Sequence, residues 1–162
     1  MKKLICILLA ICCLGSLALA EEANPFAPYT LSIPEGAALE ESEGTYTIVR
    51  DTARVVVIPI SRVPDENPAE AIVRLMAQFE PQAVIGGDLP TAEGFTGLTA
   101  LNADKFGDGM DQTTIMVLSD EGELLILSGY DLTGDAEGLQ TLLEEILAGL
   151  TSEGAPVILT NK

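Results

Sequence analysis

The sequence predicts an α+β fold in which an antiparallel sheet is sandwiched between two helices. Residues 115–118 and 124–127 are apolar at every position, so each predicts a strand whose two faces must both be covered. Residues 68–80 and 135–150 carry apolar side chains at the three- and four-residue spacing of amphipathic helices. With two such helices available, the simplest arrangement places one helix on each face of the sheet.

Three strands are expected before the first helix, at residues 29–33, 45–50 and 53–60. In the first of them apolar and polar side chains alternate until Pro34, as in a strand with one buried face. The second and third are separated by only two residues, which favours a hairpin. The acidic stretch at residues 40–44 is expected to be a loop.

The first helix is expected to begin after Asn67 and to end before Pro81. Asn67 is a favourable N-cap, Pro68 suits the first helical position, and Glu70 completes a capping box. The apolar stripe of this helix consists of Ile72, Leu75, Met76 and Phe79. A stripe with this spacing is typical of a helix that packs on a hydrophobic core.

Four more strands and a second helix are expected in the rest of the chain. The strands are predicted at residues 83–86, 95–103, 113–119 and 123–130. The turn at residues 120–122 favours a hairpin between the last two. The second helix is expected to begin near Asp135, and its apolar stripe consists of Leu139, Leu142, Leu143, Ile146, Leu147 and Leu150. Residues 157–160 are expected to form a short edge strand or to pack against the domain.

Residues 1–20 have the pattern of a signal peptide. Lys2 and Lys3 give a basic start, residues 4–14 form an uncharged apolar run, and residues 18–20 supply the small side chains of a cleavage site. An uncleaved membrane anchor is the alternative, but the run is shorter than the ~20 residues that a membrane span needs. We therefore expect the protein to be exported, either to the cell envelope or to the outside of the cell.

Cleavage after Ala20 would leave a flexible leader at residues 21–28 and a single domain at residues 29–162. Cys12 and Cys13 are not preceded by the Gly, Ala or Ser that a bacterial lipobox requires. We therefore expect neither lipidation nor a stable membrane anchor after cleavage.

The order of the predicted elements behind a signal peptide resembles that of the PsbP-like α/β/α sandwich superfamily. The segment YTLSIPEG, residues 29–36, is similar to the opening strand of that family. The superfamily includes the extrinsic PsbP subunit of photosystem II, a Ran-binding nuclear import factor and many bacterial secreted proteins and lipoproteins. The resemblance extends over residues 26–150, and it implies a non-catalytic role in binding or assembly through protein contacts.

The composition excludes several classes of function. All three cysteines lie within the predicted signal peptide, and the sequence contains no histidine. The mature chain therefore has no Ser-His-Asp triad, thiol nucleophile or zinc site ligated by His or Cys. The net charge of −17 becomes −19 once Lys2 and Lys3 are removed, and such a surface offers no basic patch to nucleic acid. We expect no cofactor, no nucleic-acid partner and no catalytic residue.

The segment NADKFGDGMD, residues 102–111, is the strongest candidate for a metal site. Asp104, Asp108 and Asp111 could supply oxygen ligands to calcium, although their spacing matches no known calcium motif. The alternative is a turn between two strands, in which two glycines supply the positive φ angles. Lys105 partly offsets the acidic charge of the segment, and we expect the turn.

A second acidic segment, residues 131–138, superficially resembles the start of an EF-hand loop. Its sixth position is Ala136 where Gly is needed, and its twelfth is Leu142 where a bidentate Glu is needed. Asp135 is better explained as the N-cap of the second helix, with Glu137 in the first helical turn.

The predicted function is that of an exported, non-catalytic binding or assembly domain with an unidentified protein partner. One alternative is a carboxylate-dependent hydrolase, which needs two facing carboxyl groups, one of them with a raised pKa. Another is a weak calcium-binding accessory domain, which would use the aspartates of residues 102–111.

Overall fold

The computed structural model describes residues 24–60, Val63 and residues 67–159. The predicted signal peptide and residues 21–23 of the expected leader lie outside these residues. The helices are α1 (Pro68–Phe79) and α2 (Ala136–Ala148). The strands are β1 (Tyr29–Thr30), β2 (Ala38–Ser42), β3 (Thr45–Arg50), β4 (Ala53–Ile60), β5 (Val84–Leu89), β6 (Phe95–Asn102), β7 (Gln112–Ser119), β8 (Leu124–Asp131), β9 (Thr151–Ser152) and β10 (Ala155–Pro156).

The main sheet has seven strands in the order β2-β3-β4-β8-β7-β6-β5, and every neighbouring pair is antiparallel. The predicted α+β class and its antiparallel sheet are confirmed. The two strands with continuous apolar runs, β7 and β8, pair with each other inside the sheet and are almost entirely buried. Within the part of the chain that the structure describes, no helix is long and apolar enough to cross a membrane.

Alternate residues of β7 belong to different hydrophobic clusters. Ile115 and Val117 lie in the cluster that contains the buried side chains of α2. Met116 and Leu118 lie in the cluster that contains the buried side chains of α1. The continuous apolar pattern of this strand therefore reflects two separate sets of contacts, one for each face.

Helix α1 follows the sequence prediction at both ends. The Asn67 side chain accepts a hydrogen bond from the Ala69 N–H at 3.0 Å, and Pro68 occupies the first helical position. The helix ends at Phe79, and Glu80 separates it from Pro81. Phe79 is the exception to the predicted buried stripe, because 44% of its surface is exposed at the end of the last turn.

The turn between β7 and β8 is also confirmed. Gly122 has a φ of 91°, in the region that favours glycine. A Cβ at this position would lie 2.8 Å from the Val63 carbonyl oxygen, and the Val63 N–H donates to the Gly122 carbonyl at 2.7 Å. The turn therefore requires glycine for its backbone angle and for its close contact with a neighbouring segment.

The prediction of a loop at residues 40–44 is wrong. Residues Ala38–Ser42 form strand β2, which pairs with β3, and only Glu43 and Gly44 form the turn between them. All five residues of β2 are exposed, and the strand is one edge of the sheet. A strand without a buried face has no apolar alternation, so its sequence has the polar character of a loop.

The opposite edge of the sheet is β5, which is longer than the predicted strand at residues 83–86. It runs from Val84 to Leu89 and carries a register shift between Ile85 and Gly87. Gly87 has a φ of 144° at this irregularity. The strand continues beyond the predicted end because the bulge accommodates the two glycines without loss of pairing to β6.

The N-terminal segment differs from the prediction in two respects. The strand expected at residues 29–33 is only Tyr29–Thr30, and it pairs with β9 in a separate three-stranded sheet. Phe26, expected in a flexible leader, is only 5% exposed and packs in the core against the Tyr46 ring, with ring centroids 5.1 Å apart. Residues 24–28 therefore belong to the folded domain.

The end of the described chain packs against the domain. Val157 is fully buried and Ile158 nearly so, and Ile158 forms an isolated bridge with Thr91. The regular pairing lies just before them, where β10 joins the small sheet through β9. Of the two alternatives for residues 157–160, packing describes 157–159, and residue 160 lies outside the described chain.

Tyr29 joins the N-terminal segment to the hairpin of β7 and β8 through its hydroxyl. Its ring is buried, its hydroxyl donates to the Glu123 carbonyl at 2.8 Å, and the Val117 carbonyl lies 3.2 Å away. Burial, together with the Glu123 carboxylate, raises the pKa of Tyr29 above its ordinary value. The hydroxyl therefore stays protonated and acts as a donor.

We expect Tyr29→Phe to lower the free energy of unfolding by about 1 kcal/mol, because it removes the hydrogen bond that joins the N-terminal segment to the Glu123 carbonyl. Urea unfolding followed by circular dichroism measures this change. Tyr46→Phe, at a half-buried tyrosine of the same core, is the matched control and should change the stability by less than about 0.5 kcal/mol. Equal losses in the two variants would contradict the role of the Tyr29 hydroxyl.

Candidate functional site

A groove of about 460 Å³ lies between α2 and strands β6 and β7. Helix α2 packs mainly on β4 and β8, so it leaves part of the neighbouring strands uncovered. Thr99 and Leu101 of β6 and Thr113 and Ile115 of β7 form the floor of the groove. The alternation of side chains places these four residues on the face of the sheet that α2 occupies.

The wall that α2 contributes is largely apolar. Leu139 and Leu143 are buried, and Leu147 is half-buried at the opening. On the other side Leu101 is 44% exposed, so the opening itself carries apolar surface. Solvent-exposed leucine next to a cavity is typical of a binding surface rather than of a closed core.

The candidate loop at residues 102–111 forms one end of this groove through Gly109 and Asp111. The Asp104 carboxylate accepts a hydrogen bond from the Gly109 N–H at 2.8 Å, and the Asp111 carboxylate accepts one from the Asp104 N–H at 2.9 Å. Asp104 and Asp108 have φ angles of 52° and 58°, which aspartate tolerates in tight turns. Two of the three candidate carboxylates thus accept hydrogen bonds from backbone N–H groups of their own loop.

That Asp104, Asp108 and Asp111 do not form a metal site stays a prediction. In the described ranges, with residues 61–62 and 64–66 set aside, no group of three or more His, Cys, Asp or Glu side chains is placed to hold a metal ion. The expected effect of Lys105 on the acidic cluster is corrected. Its ammonium lies 2.7 Å from the Glu80 carboxylate, in an ion pair at the end of α1.

We expect Asp104→Ala to lower the free energy of unfolding by about 1 kcal/mol, because the Gly109 N–H loses its acceptor. Thermal melts of the wild type with and without millimolar Ca²⁺ should superimpose, since the carboxylates already hold backbone groups. A rise in Tm with Ca²⁺ that Asp104→Ala abolishes would contradict this interpretation and support a calcium site.

Asp131, at the end of β8, is the buried carboxylate beside the groove. It is 4% exposed, and one carboxylate oxygen accepts from the Thr133 N–H, the Thr133 hydroxyl and the Asp135 N–H at 2.7, 2.7 and 3.0 Å. The other oxygen accepts from the Thr52 hydroxyl at 2.7 Å. Asp131 therefore fixes the connection from β8 to α2 and joins it to the β3–β4 turn.

The hydrogen bonds of Asp131 determine its charge. Burial alone would raise its pKa, but the hydrogen bonds from Thr133, Thr52 and the following backbone outweigh burial and lower the pKa to about 2. The group is therefore an anion at neutral pH.

Asp135, as predicted, caps α2 by accepting a hydrogen bond from the Gly138 N–H at 3.1 Å.

The groove does not have the arrangement of a carboxylate-dependent hydrolase. Such an enzyme needs a carboxyl group with a raised pKa opposite a second carboxylate. Among the described residues that line the groove, Asp131 has a lowered pKa, and Asp111 and Glu144 are exposed.

No family model and no curated protein sequence matches the chain. Several solved structures are similar to it, and two of them are described here. LpqN, involved in cell envelope biogenesis of Mycobacterium tuberculosis, has a TM-score of 0.51 at 20% identity, over 81% of this chain and 83% of its own. Cyanobacterial PsbP (CyanoP) from Synechocystis sp. PCC 6803 has a TM-score of 0.54 at 12% identity, over 81% of this chain and 89% of its own. The fold is PsbP-like.

This result confirms the resemblance predicted from the order of the elements. At 12–20% identity the similarity shows the PsbP-like fold alone, so no functional residue is transferred from either structure. The groove between α2 and the β6–β7 strands is accordingly described from this chain's own side chains.

Proposed function

We propose that this protein is an exported, non-catalytic domain that binds or assembles with a protein partner in the cell envelope or outside the cell. The observation that carries the proposal is the solvent-open apolar groove beside α2, with Leu101 at its opening. Apolar surface next to a concave site favours a contact with another molecule. The similarity to LpqN, which is involved in cell envelope biogenesis, agrees with this location.

The proposal includes the complete α/β/α sandwich, with one helix on each face of the sheet. Its support is the division of the core, because Met116 packs in the cluster of α1 and Ile115 in the cluster of α2. In this arrangement α2 does not extend over β5 and β6. The groove is the part of that sheet face that α2 leaves uncovered.

Export is supported by the signal-peptide pattern of residues 1–20. Intact-mass analysis of the protein recovered from the native cell should give a chain that begins at Glu21. Recovery of the uncleaved chain from the membrane fraction would contradict this part of the proposal.

Binding through the groove can be tested with a single cysteine, because the predicted mature chain has none. Leu101→Cys labelled with a benzophenone maleimide places a photocrosslinker at the groove. Val73→Cys on α1 is the matched control, since Val73 and Leu101 are both 44% exposed. Irradiation in native envelope preparations should give a protein adduct from position 101 that position 73 does not give. The same adducts from both positions, or none from position 101, would contradict the proposal.

A further inference from the structure

We propose that the groove beside α2 binds a basic segment of the partner protein, with an apolar side chain inserted between the leucines and Lys or Arg side chains at the rim. This inference rests on the proposed function and specifies the chemistry of the partner. It follows from the apolar surface of the groove, the sign of the charges around it and the placement of this chain's own cations.

The apolar surface is continuous from the groove to the edge of the sheet. Ile115 and Leu139 are buried at the bottom, and Leu101 is 44% exposed at the opening. Val84 of β5 pairs directly with Leu101 and is 72% exposed, so it extends the same face to the edge strand. A peptide that crosses this face can place one apolar side chain in the groove and another against Val84.

Every charged side chain that lines the groove is acidic. Asp111 lies at the loop end, Glu144 lies on α2, and Asp131 lies below them with its oxygens already occupied. Asp111 and Glu144 are exposed and can each accept a further hydrogen bond from a cation. The groove therefore favours a positively charged ligand, and the net charge of −17 increases the attraction at long range.

The chain's own cations are engaged elsewhere in the described residues. Arg50 pairs with Glu145 at 2.5 Å, and Lys105 pairs with Glu80 at 2.7 Å. The Arg54 guanidinium donates to the carbonyl oxygens of the β3–β4 turn. Arg74, the fourth Lys or Arg of the described residues, lies on α1. None of these four side chains lines the groove.

The charge distribution also selects among the possible occupants. An anionic lipid surface would be repelled by the acidic rim. A second copy of this chain has the same negative charge, and its basic residues in the described ranges occur singly rather than in a basic segment. A basic segment of a different protein that carries an apolar side chain matches both the leucine wall of α2 and the acidic rim.

The probe for the test is a short fluorescein-labelled peptide in which two leucines are flanked by lysines. Fluorescence anisotropy at low salt should show saturable binding to the mature protein. Replacing the leucines of the peptide by serines, or its lysines by glutamates, should each weaken binding by about tenfold or more, the effect of losing one strong contact. Equal binding of all three peptides would overturn the proposal.

Protein variants localise the binding. Glu144→Lys at the rim is expected to weaken binding of the basic peptide by about tenfold. Glu137→Lys makes the same change of charge on the same helix, but Glu137 does not line the groove, so binding should change by less than about twofold. Both positions are exposed, and circular dichroism verifies that both variants fold.

Equal weakening by Glu144→Lys and Glu137→Lys would overturn the proposal, because it would show attraction to the overall charge alone. Tighter binding of anionic vesicles than of the basic peptide, or self-association detected by sedimentation, would overturn it in favour of a lipid or a second copy. A position-specific crosslink at residue 101 without any peptide binding would overturn this inference and leave the proposed function standing.

Discussion

Replacing Leu142 by alanine is expected to lower the free energy of unfolding by about 3–4 kcal/mol. Leu142 lies on α2, is fully buried, and belongs to the larger of the two hydrophobic clusters. Removal of three methyl or methine carbons there takes away apolar contacts and leaves a cavity that the packed strands cannot close. Urea unfolding monitored by circular dichroism measures the loss.

Leu132→Ala is the matched control for this variant. Leu132 is 52% exposed in the connection that leads to α2, so the same chemical change should alter stability by less than about 0.5 kcal/mol. Similar losses in Leu132→Ala and Leu142→Ala would contradict the packing of α2 on the sheet. A loss confined to Leu142→Ala would support it.

Replacing Asp131 by alanine is expected to lower the free energy of unfolding by about 3 kcal/mol at neutral pH, because Thr52, Thr133 and Asp135 together lose four hydrogen bonds to a charged acceptor. Asp131→Asn preserves the shape and one acceptor oxygen, so its loss should be smaller. Urea unfolding of both variants at neutral pH tests this order. A larger loss for the asparagine variant would contradict it.

The charge of Asp131 also predicts a pH dependence. Its pKa is about 2 in the folded protein against an ordinary value of 3.8, so ionisation contributes about 2 kcal/mol of stability at neutral pH. Because the folded pKa is the lower one, the contribution is complete above about pH 5 and is lost as the pH falls from about 4 to 2.

The pH dependence is measured as the difference in unfolding free energy between the wild type and Asp131→Asn. This difference should be largest above pH 5 and should shrink toward pH 2, where Asp131 is increasingly protonated in both the folded and the unfolded chain. Asp120→Asn, in the exposed turn before β8, is the control and should change the stability at neutral pH by less than about 0.5 kcal/mol. A wild-type advantage that persists at low pH would contradict ionisation as its cause.

The parts of the fold that the sequence predicts are those whose side chains follow a strong period. Apolar faces are buried in helices α1 and α2 and in strands β7 and β8. The sequences of these elements therefore show the periodic apolar pattern that predicts them. Strand β2 has no buried residue, and its pairing with β3 depends on backbone hydrogen bonds, which leave no pattern in the side chains. Phe26 reaches the core from a segment too short to show any period.

The groove could not be predicted from sequence because it is defined by what α2 does not cover. Leu101 has the position of an ordinary strand residue, and Leu147 that of an ordinary helix residue. Leu101 and Leu147 lie at the same opening because of where α2 lies across the sheet. No local sequence pattern predicts that position. Asp131 did leave a local signal, since an aspartate two residues before a threonine and four before a helix cap favours an Asx turn.

The two edges of the sheet oppose pairing with a second copy of the chain in different ways. Strand β2 exposes Glu40 and Glu41 along one edge, so two copies that approach side by side meet like charges. At the other edge the bulge between Ile85 and Gly87 distorts the pairing surface that an incoming strand would need. Salt screens the repulsion at β2 and does not alter the bulge in β5, so high salt exposes the β2 edge to pairing and leaves the β5 edge protected.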